Sequence, residues 1–219
     1  MTGFLGNHVC KLFLEDGSYR VRGSTTNPNN PNKREGIKAA CGEELFKNEL
    51  ELVKADLTNS KSVDLAVQGC EYVVHVASPV PASMPFKHEE EKLIKTAVEG
   101  TLNVLRAAFK HKVKRVVVTS STAAVIDRSN QVKGRIITEK DWANENLSDN
   151  PYSKSKILSE KAAWQFWNSL PENERFELVC LNPGNFFGPS FKREEFASAN
   201  IIRAIITWSR IFGFPKIYY

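Results

Sequence analysis

The sequence contains no apolar run near the ~20 residues that a membrane span requires. No basic leader followed by an apolar stretch stands at its start. A soluble, cytoplasmic protein with no membrane partner is therefore expected. Cysteine is scarce: Cys10, Cys41, Cys70 and Cys180 stand singly, with no C-x-x-C pair among them. That pattern argues against a disulfide framework, and the thiols are read as reduced and mostly buried. No second His or Cys is spaced with His75 to hold a metal, so His75 is read as a packed strand residue and no metal is expected. Positive charge exceeds negative by only 5 at neutral pH and is spread along the chain. Its one cluster, "FKHKVKRVVV", sits where a helix turns into a strand. No basic stripe interleaved with stacking aromatics is present, so nucleic acid is not an expected partner.

What is present is enough for one core of ordinary size: 219 residues, 42% of them hydrophobic. From Leu5, apolar residues recur at Val9, Leu12 and Phe13, the spacing of a helix with one buried face, and "EDGS" supplies a glycine stop. "SYRVRGSTT" reads as a strand and "NPNNPNKREG" as a loop. "GIKAACGEELF" reads as a helix. "LELVKADL" and "CEYVVHVAS" are strands around a helix that Ser60 caps and Gly69 ends, with Val63, Ala66 and Val67 inward. A long helix over His88 to His111 turns Leu93, Ala97, Val104 and Ala108 to one side. "KRVVVTSS" is a β-branched run of the kind buried in parallel sheets. The helix "YSKSKILSEKAAWQFW", the strand "FELVCLNPG" and a helix over "SANIIRAIITWSRIFG" complete the order. In the helix after Tyr152, Trp164, Phe166 and Trp167 read as core and interface filling. Strands alternating with helices imply an α/β fold, an open parallel sheet with helices on both faces.

The strongest chemical signal is "PYSKSK". Tyr152 and Lys156 lie one helical turn apart, so both side chains leave the same face. A fixed ammonium favours the ionised form of a nearby phenol, and the pair is a usable proton-transfer group. "VVVTSST" places hydroxyls at the carboxyl end of a strand, where ligands of open α/β sheets sit. Such hydroxyls also cap the following turn.

In order and spacing, "TGFLG", "ADL", "HVAS", "VEGTLNVL", "VVVTSS", "YSKSK" and "NPGNFFGP" resemble the extended short-chain dehydrogenases/reductases. Within the NAD-dependent epimerase/dehydratase group, the likeness is to the branch of dihydroflavonol and cinnamoyl-CoA reductases, and it covers essentially the whole chain. The resemblance implies a Rossmann-like fold and hydride transfer between a nicotinamide and a carbonyl, in the direction of reduction. It makes Tyr152 the general acid/base and gives Lys156 a double role, lowering the tyrosine's pKa and binding the nicotinamide ribose. Ser121 would polarise the carbonyl oxygen, with Ser120 as the fallback. Gly3, Phe4, Leu5 and Gly6 would line the pyrophosphate at a helix start. Asp56 and Leu57 would flank the adenine, Val76, Ala77 and Ser78 would run under the adenosine and ribose, and Pro183 would pack near the nicotinamide. The substrate would be a small carbonyl compound.

Two departures shape the expectation. The arginine that grips a 2′-phosphate in this pattern is replaced: Arg22 is followed four residues later by Thr26. Lys33 or Arg34 would supply the charge from the loop, and with no acid at the strand end NADP is favoured over NAD. The glycine turn also begins at its last two glycines, without the strand that feeds it. In a 3-2-1-4-5 sheet that strand is central, and each backbone group left unpaired in a core costs about 1–3 kcal/mol against a total of ~5–15 kcal/mol. The expectation is a dinucleotide-binding domain over residues 1–190 lacking its first strand, then the start of a mostly missing substrate lobe over 191–219, and a chain that by itself is unstable or inactive. A nucleotide-sugar epimerase or dehydratase, and a non-catalytic family member, are the alternatives.

Overall fold

The computed structural model describes residues 1–79, 87–126, 134–146, 148, 150–191 and 206–207. In chain order the elements are α1 (Phe4–Asp16), β1 (Val21–Thr25), α2 (Pro31–Cys41), α3 (Glu43–Asn48), β2 (Leu50–Lys54) and α4 (Ser60–Val67). There follow β3 (Tyr72–His75), α5 (Lys87–Lys110), β4 (Arg115–Thr119), α6 (Pro151–Ser169) and β5 (Glu177–Leu181). The strand over "FELVCLNPG" and the long helix fall where the periodicity predicts. Apart from residues 206–207, which are helical, the helix read over 198–213 lies outside the described residues, as does most of the lobe read over 191–219.

Three local readings change. The Asn/Pro stretch is not all loop, because Asn30 caps α2 and Pro31 occupies its first turn, where a missing N–H costs nothing. Gly42, at φ 84, then divides the expected single helix into α2 and α3. Asn59 rather than Ser60 caps α4, its side chain accepting from Ser62 N. Gly69, at φ 77, follows that helix as the stop.

All strand pairings are parallel, as crossovers of this length require. They form two sheets: β1 pairs with β2, in register Val21 to Leu50, and β3, β4 and β5 pair in that order. Among the described residues no ladder joins β1 to β3. The edge of β1 instead receives Met1, whose ammonium donates to the Ser24 carbonyl at 2.8 Å. Gly6 is needed for that approach, since a Cβ there would stand 2.6 Å from the Met1 carbonyl oxygen.

Each sheet has its own core. Cys10 and Leu14 of α1, Ile37 of α2 and Phe46 of α3 pack with Val21, Leu50 and Leu52. Val63 and Val67 of α4, Val104, Leu105 and Ala108 of α5 and Ala163 of α6 pack with Val116, Val118 and Leu178. Trp164, Phe166 and Trp167 pad this second core. Successive strand side chains point to opposite faces. Val21 joins the first core, while Arg22, the next residue, donates to the Gln68 carbonyl at 2.6 Å beyond the end of α4. Helices α1–α3 and α4 therefore flank β1 on opposite faces. Arg22 also pairs with Glu51 at 2.8 Å, so this arginine serves the fold.

Candidate functional site

Within each sheet the parallel strands bring their carboxyl ends to one edge, and several of the predicted site residues follow those ends. Asp56 and Leu57 follow β2, Val76, Ala77 and Ser78 follow β3, Ser120 and Ser121 follow β4, and Pro183 follows β5. Gly3 begins α1 with no side-chain cap, and first-turn N–H groups of a helix have no partner within the helix itself. The segment after β5 returns to that helix start: His8 Nε2 lies 3.0 Å from the Pro189 carbonyl, and the rings of His8 and Phe191 are 4.6 Å apart.

The reactive pair is built by the start of α6. Asn150 accepts from Tyr152 N at 2.9 Å and from Ser153 N at 3.3 Å, and Pro151 sets the first turn. One turn on, Lys156 is 5% exposed and donates from Nζ to the Thr119 carbonyl, at the end of β4, at 3.1 Å. The same nitrogen stands 5.9 Å from the Tyr152 ring centre. One ammonium thus ties the tyrosine's helix to the strand that carries the serines.

Ser121 takes the capping role open to a strand-end hydroxyl. Its Oγ accepts from Ala123 N at 3.1 Å and caps the turn Thr122–Ala124, which leaves its own hydrogen free for another acceptor. Pro183 belongs to the same corner, its carbonyl accepting from Thr122 N at 2.9 Å. Ser120 Oγ and Thr25 Oγ1, at the ends of β4 and β1, are buried without a hydrogen-bond partner. Buried hydroxyls rarely go unmatched, so these two suit a polar group lying across the strand ends.

The remaining predicted residues are less direct. Asp56 turns its carboxylate onto Thr58, accepting from its N at 2.9 Å and its Oγ1 at 2.7 Å, and these bonds hold its pKa below the usual carboxylate range. The Leu57 carbonyl accepts from Asn103 Nδ2 at 2.8 Å, and its side chain pads the second core. Lys33 and Arg34 separate clearly. Lys33 donates to Thr26 Oγ1 beside the end of β1, whereas Arg34 lies over the Phe46 ring at 5.0 Å.

Electrostatics follow burial. Desolvation, opposed by the charge of Glu160, brings Lys156 down to about 8. Burial pushes the Cys10 and Cys180 thiols up to about 12. All four cysteines are free, with Cys10 buried and the others half-buried. No cluster among the described residues is placed to hold a metal ion. His75, 7% exposed, lies 3.5 Å from Thr101 Oγ1, and burial with the Lys156 charge lowers its pKa from 6.5 to about 4. Between those values the unfolded chain binds a proton that the folded chain refuses, so the histidine's contribution to stability falls as pH drops through that window. The loss is expected to reach about 3 kcal/mol. Urea unfolding of wild type and His75→Leu at stepped pH checks this. The difference between them should change across the window, and a constant difference would contradict it.

Sequence reasoning missed Glu160 and Asn182. Glu160 continues the four-residue series from Tyr152 and Lys156, a spacing that was there to be read. Its carboxylate, on a residue 4% exposed, accepts from Asn182 Nδ2 at 2.7 Å and from Trp164 Nε1 at 3.4 Å.

Parallel strands connected by helices, a first helix that starts at Gly3, and a tyrosine and a buried lysine on one face of the helix bonded to the end of β4 define a Rossmann-like protein. The model of the NAD dependent epimerase/dehydratase family matches residues 1–209, and the chain belongs to that family. It is 35% identical over 209 residues to tetraketide alpha-pyrone reductase 1 of Arabidopsis thaliana, covering 94% of this chain and 61% of that protein. It is 34% identical to cinnamoyl-CoA reductase 1 of Petunia hybrida, over 94% of this chain and 59% of that one. Among solved structures, yeast methylglyoxal/isovaleraldehyde reductase Gre2 complexed with NADPH superposes with a TM-score of 0.78 at 28% identity, over 94% of this chain and 64% of that one. The chain thus spans about 60% of the length of the curated relatives it matches. Among the described residues no helix is long and apolar enough to cross a membrane.

Proposed function

We propose that the chain carries the nucleotide-binding and proton-transfer parts of an NADPH-dependent reductase that delivers one hydride to a carbonyl, giving an alcohol from a ketone or aldehyde, or an aldehyde and the released thiol from an acyl-CoA-type thioester. The observation that carries this reading is the Lys156 bridge: its ammonium stands 5.9 Å from the Tyr152 ring centre and bonds the Thr119 carbonyl, directly before the serine pair in the chain. The named reductases among its relatives support it.

When bound, the nicotinamide cofactor supplies the hydride. Gly3, Phe4, Leu5 and Gly6 would hold its phosphates at the start of α1, Asp56, Leu57, Val76, Ala77 and Ser78 would line its adenosine side, and Pro183 would lie near the nicotinamide. Ser121 donates its free hydrogen to the substrate oxygen and polarises the carbonyl. Tyr152 gives the same oxygen its proton. As that proton leaves, the Lys156 ammonium attracts the negative charge left on the tyrosine oxygen. A panel of ketones, aldehydes, acyl-CoA thioesters and UDP-sugars, each with NADPH or NADH, tests the assignment. Consumption of NADPH with a carbonyl substrate is expected, and turnover of UDP-sugars alone would replace it with the epimerase alternative.

Lys33 accounts for the choice of cofactor, because its ammonium sits at the end of β1. Lys33→Ala is expected to weaken NADPH binding about tenfold more than NADH binding, the worth of one charge-assisted contact. Equal losses, read by titrating intrinsic fluorescence, would remove that role.

A second reading, a non-catalytic member that does not hold the dinucleotide, is favoured by the absence, among the described residues, of a ladder between β1 and β3. Thermal melting with either cofactor separates the two. A clear rise in Tm contradicts the second reading, and no rise with either cofactor contradicts the first.

A further inference from the structure

The buried carboxylate of Glu160 has no part in the mechanism above, and a charge so enclosed needs a reason. Its partners supply one. The Asn182 amide nitrogen that donates to Glu160 Oε2 at 2.7 Å also donates to the Ser121 carbonyl at 3.1 Å. Both hydrogens of the amide are committed, one to α6 and one to the residue that carries the polarising hydroxyl. On either side, Ser120 N donates to the Leu181 carbonyl and Thr122 N to the Pro183 carbonyl, at 2.8 and 2.9 Å. Main-chain bonds to the β5 segment therefore bracket Ser121, and Asn182 links that corner to the reactive helix through Glu160, as Lys156 does through the Thr119 carbonyl.

Resting on the reductase reading, we infer that Glu160 and Asn182 are positioning residues: the carboxylate orients the Asn182 amide, and the amide sets the spacing between the Ser121 and Tyr152 hydroxyls. A displacement of about 1 Å in such a pair costs on the order of a hundredfold in rate. Glu160 has a second effect, since its charge opposes the burial that lowers Lys156. The other groups around this ammonium are Tyr152 on the same helix, His75 on β3 and the Met1 ammonium near His75, with Cys180 on β5 beside Glu160. Glu160 is the one whose negative charge holds the lysine protonated.

The test uses the full chain with lysine side chains and Ser121 carbonyl carbon labelled for NMR. In Glu160→Gln, nearly the same shape without the charge, the Lys156 titration is expected to move below about 8, and the alkaline limb of the reduction rate to move with it. In Asn182→Ala the Ser121 carbonyl signal should shift and kcat fall about tenfold to a hundredfold, with KM for NADPH and the Lys156 titration unchanged. Glu160→Asp should restore most of the titration. An unmoved Lys156 in Glu160→Gln, an unmoved Ser121 carbonyl in Asn182→Ala, or variants that lose only melting temperature would overturn the inference. The spectroscopic readouts need no turnover. A wild type that reduces no carbonyl but shows both shifts would therefore sink the reductase reading and leave the positioning pair standing.

Discussion

Tyr152→Phe is expected to reduce carbonyl turnover by about 10²–10⁴-fold, the usual worth of a positioned general acid. The substitution removes one oxygen and little else. Asn150 caps α6 through main-chain N–H groups, so the helix start is indifferent to the hydroxyl. Lys156 keeps its bond to the Thr119 carbonyl and its place over the ring. Cofactor affinity should therefore stay within about twofold, so that the loss appears in kcat rather than in KM. Single-turnover kinetics with NADPH in excess measure it. A variant that keeps a tenth or more of the wild-type rate would assign the proton to another group, and Ser121→Ala would then be the variant to examine.

The largest expected effect on stability is at Leu105. This side chain is fully buried near the C-terminal end of α5, in the cluster where α4, α5 and α6 meet β4 and β5. Leu105→Ala should cost about 2–5 kcal/mol, transfer and cavity terms together. Against a total of ~5–15 kcal/mol that is enough to unfold much of the population under mild stress. Leu12→Ala, at a residue 66% exposed on α1, should change stability by less than about 0.5 kcal/mol. The urea midpoint should fall in the first variant and not in the second, with the m-value constant in both. Equal, small shifts would mean that the core on the three-stranded sheet does not carry the fold.

Most of the architecture is legible because parallel strands buried by crossover helices leave a strong pattern. "KRVVVTSS" and "FELVCLNPG" are short apolar runs between helical periods, and they become β4 and β5. What escapes the pattern is set by single residues or by distance. Gly42 divides α2 from α3 through one backbone angle, which apolar spacing does not encode. Asn30 and Pro31 start α2 inside a stretch whose composition reads as loop. Among the described residues β1 and β3 share no ladder, and the pattern of short apolar runs does not by itself say which strands pair.

The site divides along the same line. Tyr152 and Lys156 are local, one turn apart, so their shared face needs no tertiary information. That Lys33 rather than Arg34 reaches the end of β1 depends on Phe46 drawing the arginine away. The link from Glu160 through Asn182 to Ser121 joins segments 22 and 61 residues apart, beyond the reach of any spacing rule. Ser121 shows why neither a capping nor a catalytic reading excludes the other: its oxygen caps the turn while its hydrogen is left to donate.

The central claim is that this chain's tyrosine, lysine and serine serve hydride transfer to a carbonyl. The direct measurement uses NADPH deuterated at its transferable position, with a ketone or aldehyde from the panel and mass spectrometry of the product. The account predicts deuterium on the alcohol carbon with wild type, and its near-complete loss in Tyr152→Phe. Alcohol formed without deuterium, or labelled equally by both proteins, would contradict it.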